Sequence, residues 1–139
     1  MKFSLFALIV FTAIACSKND ATPSVPASDT FDETKATLLR EGTWMGNMSY
    51  AVAGKAKIFD DSGKKVLLLD NFTSSNGPDL RVYLSTTEDA AAFINLGKLK
   101  STTGKQSYEI PGQPDFTRYK FVLIWCQQFS VQFGKSETK

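Results

Sequence analysis

Tyr119-Lys120-Phe121-Val122-Leu123-Ile124-Trp125-Cys126 is the stretch that decides the fold. From Phe121 to Cys126 every residue is apolar, so Phe121, Leu123 and Trp125 on one side and Val122, Ile124 and Cys126 on the other leave neither face polar. A run this short, rich in β-branched and aromatic residues, predicts a strand buried on both faces. Gln127-Gln128 ends it in a bulge, bend or exit to solvent, which sets Cys126 at the border of core and polar sequence. Outward from this strand the period of two recurs. Phe129, Val131 and Phe133 alternate with Gln128, Ser130 and Gln132, and Leu80, Val82 and Leu84 alternate with Arg81, Tyr83 and Ser85. Residues 51–59 alternate loosely, 66–69 are continuously apolar, and 96–100 and 106–110 are shorter candidates split by Gly104. Asp60-Asp61-Ser62-Gly63, Asn76-Gly77-Pro78-Asp79 and Pro111-Gly112-Gln113-Pro114 punctuate them as turns. About eight short strands at such spacing predict an all-β fold, a single antiparallel β-sandwich or barrel-like domain. Two helical pieces are expected beside it. Residues 31–40 read as a short N-terminal helix capped by Asp29 or Thr30, with Asp32 and Glu33 in its first turn and Gly42 past its end. Residues 87–93 read as a helical turn.

The chain starts with a different kind of segment. Lys2 precedes an apolar run over residues 3–15, too short to span a bilayer and suited to the hydrophobic region of a signal peptide. It ends in Ala13-Ile14-Ala15-Cys16, which resembles a bacterial lipobox, with Ala13 where such motifs usually carry Leu. The expected organisation is a lipoprotein signal peptide over 1–15 and a lipid-attached flexible tether over 16–30 that carries Pro23 and Pro26. The β domain then occupies 31–139. In such proteins Cys16 is acylated (palmitate among the chains) and anchors the protein to a membrane. Ser17 after the Cys resembles lipoproteins sent to the outer membrane. Lys18-Asn19-Asp20 loosely resembles the surface-export tag of Bacteroidetes lipoproteins, which is the basis for expecting exposure at the cell surface.

Composition removes several kinds of chemistry. No His is present among 139 residues, which excludes Ser-His-Asp and Cys-His catalysis, His-ligated zinc and His-ligated haem. With 16 basic and 14 acidic side chains the net charge is +2, too small to imply a nucleic-acid partner. No two carboxylates are placed by sequence as an acid–base pair, so an enzyme is not the favoured class. The two Cys would ordinarily suggest a disulfide, but acylation of Cys16 leaves Cys126 as a lone thiol in an oxidising compartment. A thiol at the core's edge is either a packed small hydrophobe or a redox or prosthetic-group cysteine. Without His, its activation would come from Lys, Arg or backbone dipoles. Met45 and Met48 with Cys126 would make a soft copper(I) site only if folding joined them; packing is the simpler account, and no metal is expected. Asp60, Asp61, Asp70 and Asp79 read as turn residues rather than calcium ligands.

Several short motifs follow one another in order: Gly54-Lys55-Ala56-Lys57-Ile58, Leu69-Asp70-Asn71-Phe72, Asn76-Gly77-Pro78-Asp79-Leu80, Val82-Tyr83-Leu84-Ser85, Leu96-Gly97-Lys98-Leu99-Lys100, Gly104-Lys105-Gln106-Ser107-Tyr108, Val122-Leu123-Ile124-Trp125-Cys126 and Phe133-Gly134. Together, over residues 42–134, they resemble the DM-13 domain, the electron-transfer DM thirteen family. The resemblance implies a compact β-sandwich-like fold with Cys126 as the family's hallmark cysteine. It also implies electron transfer at cell surfaces through that thiol or through a prosthetic group attached to it, with a redox protein as partner. Trp125 accompanies the cysteine, and Gly77, Pro78 and Asp79 form an intact turn motif. Where family members often carry a His before the first Gly motif, this chain has Tyr50-Ala51-Val52-Ala53. A non-catalytic surface lipoprotein that binds a ligand or a protein partner is the alternative, since fold does not imply function.

Overall fold

The apolar runs pair into one sheet in the computed structural model, which describes residues 21–139. The expected signal peptide, Cys16 as the expected lipid attachment point and the first part of the expected tether lie outside the described residues. The strands are β1 (Ala27–Ser28), β2 (Thr37–Gly46), β3 (Val52–Asp61), β4 (Lys64–Ser74), β5 (Leu80–Ser85), β6 (Phe93–Lys98), β7 (Gly104–Ile110), β8 (Phe121–Cys126) and β9 (Val131–Glu137). Across the sheet they run β1-β7-β4-β3-β2-β9-β8-β5-β6. Every neighbouring pair is antiparallel except β1 with β7. The all-β expectation holds, in the form of a single curled sheet that makes half a barrel.

β2 is the strand on which the sheet turns. Its first part, Thr37 to Thr43, runs along β3, and Trp44 to Gly46 run along β9. One half of the sheet is thereby brought over the other. Ala56, Ile58, Leu67, Leu69, Tyr108 and Ile110 from β3, β4 and β7 meet Leu80, Val82, Leu84, Val122, Ile124, Cys126 and Phe133 from β5, β8 and β9 in one core. Burying that much apolar surface is the main favourable term in the fold.

This β2 takes the place of most of the helix expected over residues 31–40. A single 3-10 turn, Glu33–Lys35, remains, with the Asp32 side chain accepting from Thr34 N. The local capping signals are real, but they stabilise one turn only. A strand at Thr37–Gly46 hydrogen-bonds on both edges and buries Trp44, whereas a helix there would leave the edges of β3 and β9 open. At residues 87–93 there is likewise no helix. The Thr87 hydroxyl caps Ala91 N at 3.1 Å, and Phe93 already starts β6.

The continuous apolar runs are explained by what covers the outside of the sheet. On the outer face of β8 and β5, Tyr83, Phe121 and Leu123 form a second buried cluster with Ala90 and Trp125 packed on it. The loop after β5 crosses this face, held by an ion pair from Glu88 to Lys135 and by the Glu88 carbonyl, which accepts from Gln132 Nε2. On the outer face of β3, β4 and β7, Phe31 rests on Phe59 with ring centroids 5.4 Å apart. Lys57 Nζ bridges Asp70 at 2.8 Å and Glu33 at 3.2 Å, and Asp29 accepts from both the amide and the hydroxyl of Ser107. The hydrogen bond from Lys57 to Asp70 outweighs its partial burial and raises the lysine's pKa. The part of the expected tether that is described, residues 21–30, therefore lies along the sheet, with β1 paired to β7.

Candidate functional site

Cys126 is the last residue of β8 and lies opposite Leu80 at the start of β5. Its side chain points inward and is 0 % exposed. Sγ donates to the carbonyl of Pro78 at 3.1 Å, and the next amide, Gln127 N, donates to the Asp79 carbonyl at 3.1 Å. The Asn76-Gly77-Pro78-Asp79 turn thus lies directly on the thiol and is pinned to the end of β8 by two hydrogen bonds.

The turn is shaped residue by residue. Asn76 Oδ1 accepts from the next amide, Gly77 N, at 2.8 Å. Gly77 sits against the Phe133 ring, where an added Cβ would stand 2.6 Å from Cζ, so close approach explains the glycine. Asp79 takes a left-handed φ of 51°, which Asp tolerates better than most residues. Its carboxylate accepts from Arg81 Nε at 2.7 Å. Asp79, Arg81, Lys98, Gln127 and Gln128 line a polar surface cleft of about 380 Å3 beside the turn. Arg81 and Lys98 are paired across β5 and β6, so two cations face this cleft and one of them already has a carboxylate partner.

Other candidate residues are not brought to the thiol. Trp125 precedes Cys126 in the strand, so its side chain takes the opposite face; its ring lies 6.1 Å from that of Tyr83, which stacks on Phe93 at 4.1 Å. Burial raises the pKa of the Tyr83 phenol. Met45 and Met48 are 61 % and 95 % exposed, while Cys126 is enclosed, so the three sulfurs form no common site. Tyr50 stacks on Phe133 with centroids 3.8 Å apart. Asp60 caps Gly63 N, and Asp70 pairs with Lys57, as turn and ion-pair residues do. Among the described residues no group of three or more His, Cys, Asp or Glu is arranged to hold a metal ion.

A prosthetic group on Cys126 does not fit this arrangement. Sγ is wholly enclosed, its hydrogen bond is spent on Pro78, and the cleft lining does not include it. Sequence reading placed Asn76 in the turn but missed Thr22 and the link between the two. The Asn76 amide bridges outward to the Thr22 carbonyl at 2.9 Å. Asn76 carries a turn signal, but nothing in the sequence around Thr22 marks it as a partner for a turn 54 residues away.

Residues 45–137 match the family model described as Electron transfer DM13. The chain belongs to the DM13 electron-transfer family. That span runs from the end of β2 to the last residue of β9 and so includes the turn, the cleft and Cys126, but none of the segment that covers the turn from outside. No curated protein and no solved structure matches the chain.

Proposed function

We propose that this DM13 protein is an exported electron-transfer module, anchored to a membrane through lipid on Cys16, in which the Cys126 thiol exchanges electrons with a redox protein partner. Membership of the electron-transfer family is the observation that carries it. The position of the thiol agrees with it in one respect: a single surface turn separates Sγ from a polar cleft with two cations. Thiol chemistry needs the thiolate or a path to it, so the turn must move before Cys126 reacts.

Full burial of Cys126 favours the alternative, a surface lipoprotein that binds a partner and carries Cys126 as packing. One experiment separates the two. The full chain and its Cys126→Ala variant are titrated electrochemically, and the fractionated cells are assayed for the protein. Reversible oxidation of the native chain, in which the Cys126 thiol loses one electron and its proton and regains both on reduction, that disappears in Cys126→Ala, together with release from the membrane on Cys16→Ser, is the expected result. No reversible oxidation of the native chain, or oxidation unchanged in Cys126→Ala, refutes the role of the thiol.

A further inference from the structure

The cover over Cys126 is held from two sides. From inside, Sγ bonds to the Pro78 carbonyl; from outside, Pro78 forms an isolated antiparallel bridge with Ala21. Two residues earlier in the turn, Asn76 Nδ2 donates to the Thr22 carbonyl at 2.9 Å. The N-terminal segment then continues along the sheet edge. Thr102 N donates to the Pro23 carbonyl at 2.9 Å, Ser101 Oγ to the Val25 carbonyl at 2.6 Å, and Ala27 N to the Thr103 carbonyl at 2.8 Å. The two ends of this segment are held differently. Beyond Ala27 it is fastened by Asp29 on Ser107 and by Phe31 on Phe59. Over the turn Thr22 is buried, but no large apolar side chain anchors the segment: Val25 is 77 % exposed, and the grip is mainly a handful of polar bonds. A segment with few buried apolar contacts opens at low free-energy cost, independently of the rest of the domain.

We propose that residues 21–26 are a strap that controls access to Cys126. Peeled from its N-terminal end, the strap frees the Asn76-Gly77-Pro78-Asp79 turn, and the turn then uncovers the thiol. The strap connects the domain to residues 1–20, so displacement from that side, by an anchor or by a docking partner, acts on the turn first. This rests on Cys126 being the redox residue, but its test does not.

Alkylation of Cys126 by a small maleimide in the full-length native protein, followed by mass spectrometry of the Cys126 peptide, reads the opening directly. Asn76→Asp keeps the acceptor for Gly77 N and removes the donor to Thr22. Ser101→Ala removes the hydroxyl that donates to the Val25 carbonyl and accepts from Thr103 N, at a position away from the turn. Each is expected to speed labelling by roughly threefold or more, the factor set by loss of one net hydrogen bond in Asn76→Asp and of up to two in Ser101→Ala, while amide exchange in β4 stays at the native rate. Labelling at the native rate in Ser101→Ala, or acceleration matched by equal acceleration of β4 exchange, overturns the strap. Strap-dependent labelling of a thiol that shows no reversible oxidation leaves the strap standing and removes the redox role. Reversible oxidation of Cys126 with strap-independent labelling does the reverse.

Discussion

At the scale of single residues, the structure separates polar atoms that are satisfied from those that are not. Cys126 Sγ, Gln106 and Tyr108 are all buried with partners: the Gln106 amide accepts from the Tyr108 hydroxyl at 2.7 Å and donates to the Ser101 carbonyl at 2.9 Å. Burial drives the Tyr108 phenol strongly upward in pKa, so it remains a neutral donor at all ordinary pH. Ser136 and Trp44 differ. They are directly paired across β2 and β9, and neither Ser136 Oγ nor Trp44 Nε1 has a hydrogen-bond partner among the described residues. An orphaned buried hydroxyl costs about 1–3 kcal/mol in lost hydration. Ser136→Ala is therefore expected to stabilise the protein by about 1 kcal/mol, read as a higher urea midpoint at unchanged slope. A lower midpoint would mean that the hydroxyl has a partner in solution.

At the scale of elements, β1 shows how much of a two-residue strand depends on its neighbour. Its pairing with β7 brings the Ala27 backbone onto Gly104, where a Cβ would stand 2.7 Å from Ala27 N and still closer to its carbonyl oxygen. Gly104 also has a φ of 98°, so a side chain there is strained as well as crowded. Gly104→Ala is expected to unseat β1, with a loss of about 1–3 kcal/mol and of amide protection at Ala27 and Asp29. Retention of both protections would show that the sheet edge adapts without releasing the segment. The helix expected over residues 31–40 belongs to this scale too. Its capping residues carry only local information, and they secure one turn. The strand that follows is chosen by two edges contributed from residues 52–61 and 131–137, which no local signal at 37–46 announces.

At the scale of the whole molecule, the N-terminal segment behaves as an added layer on the sheet, and one carboxylate does much to hold it. Partial burial pushes the pKa of Asp29 up, but the hydrogen bonds from Ser107 Oγ, Phe31 N and Ser107 N, with the charge of Lys100, more than compensate and hold it below 3.8. A depressed carboxylate stabilises the folded state above its unfolded pKa, and that contribution is lost as pH falls through the folded value. The Ser107 amide resonance is therefore expected to titrate with a midpoint below 3.8 and to lose that transition in Asp29→Asn. A midpoint at or above 3.8 would contradict the docked segment. The proposed membrane anchor and the proposed redox partner belong to this scale as well, because both would act on the segment that begins beside residue 20.

By itself the sequence determined the β class, four of the strands nearly to their ends, the turn at residues 76–79 and the family. Each of these is written locally, in a period of two, a Gly-Pro-Asp corner and an ordered series of short motifs. It also marked Cys126 as standing at the edge of the core. Tertiary structure alone decided on which side of that edge the thiol lies. Sγ is enclosed because the turn at Pro78 is pressed onto it, and Pro78 is in turn backed by Ala21, 57 positions earlier in the chain. The same holds for the doubly apolar run at residues 121–126. The run itself is visible in sequence, but its outer face is buried only because the loop carrying Glu88 and Ala90 crosses it. Covers of this kind are made by segments with no apolar period of their own, held by a few polar bonds across long sequence separations, and such bonds leave no pattern in the chain.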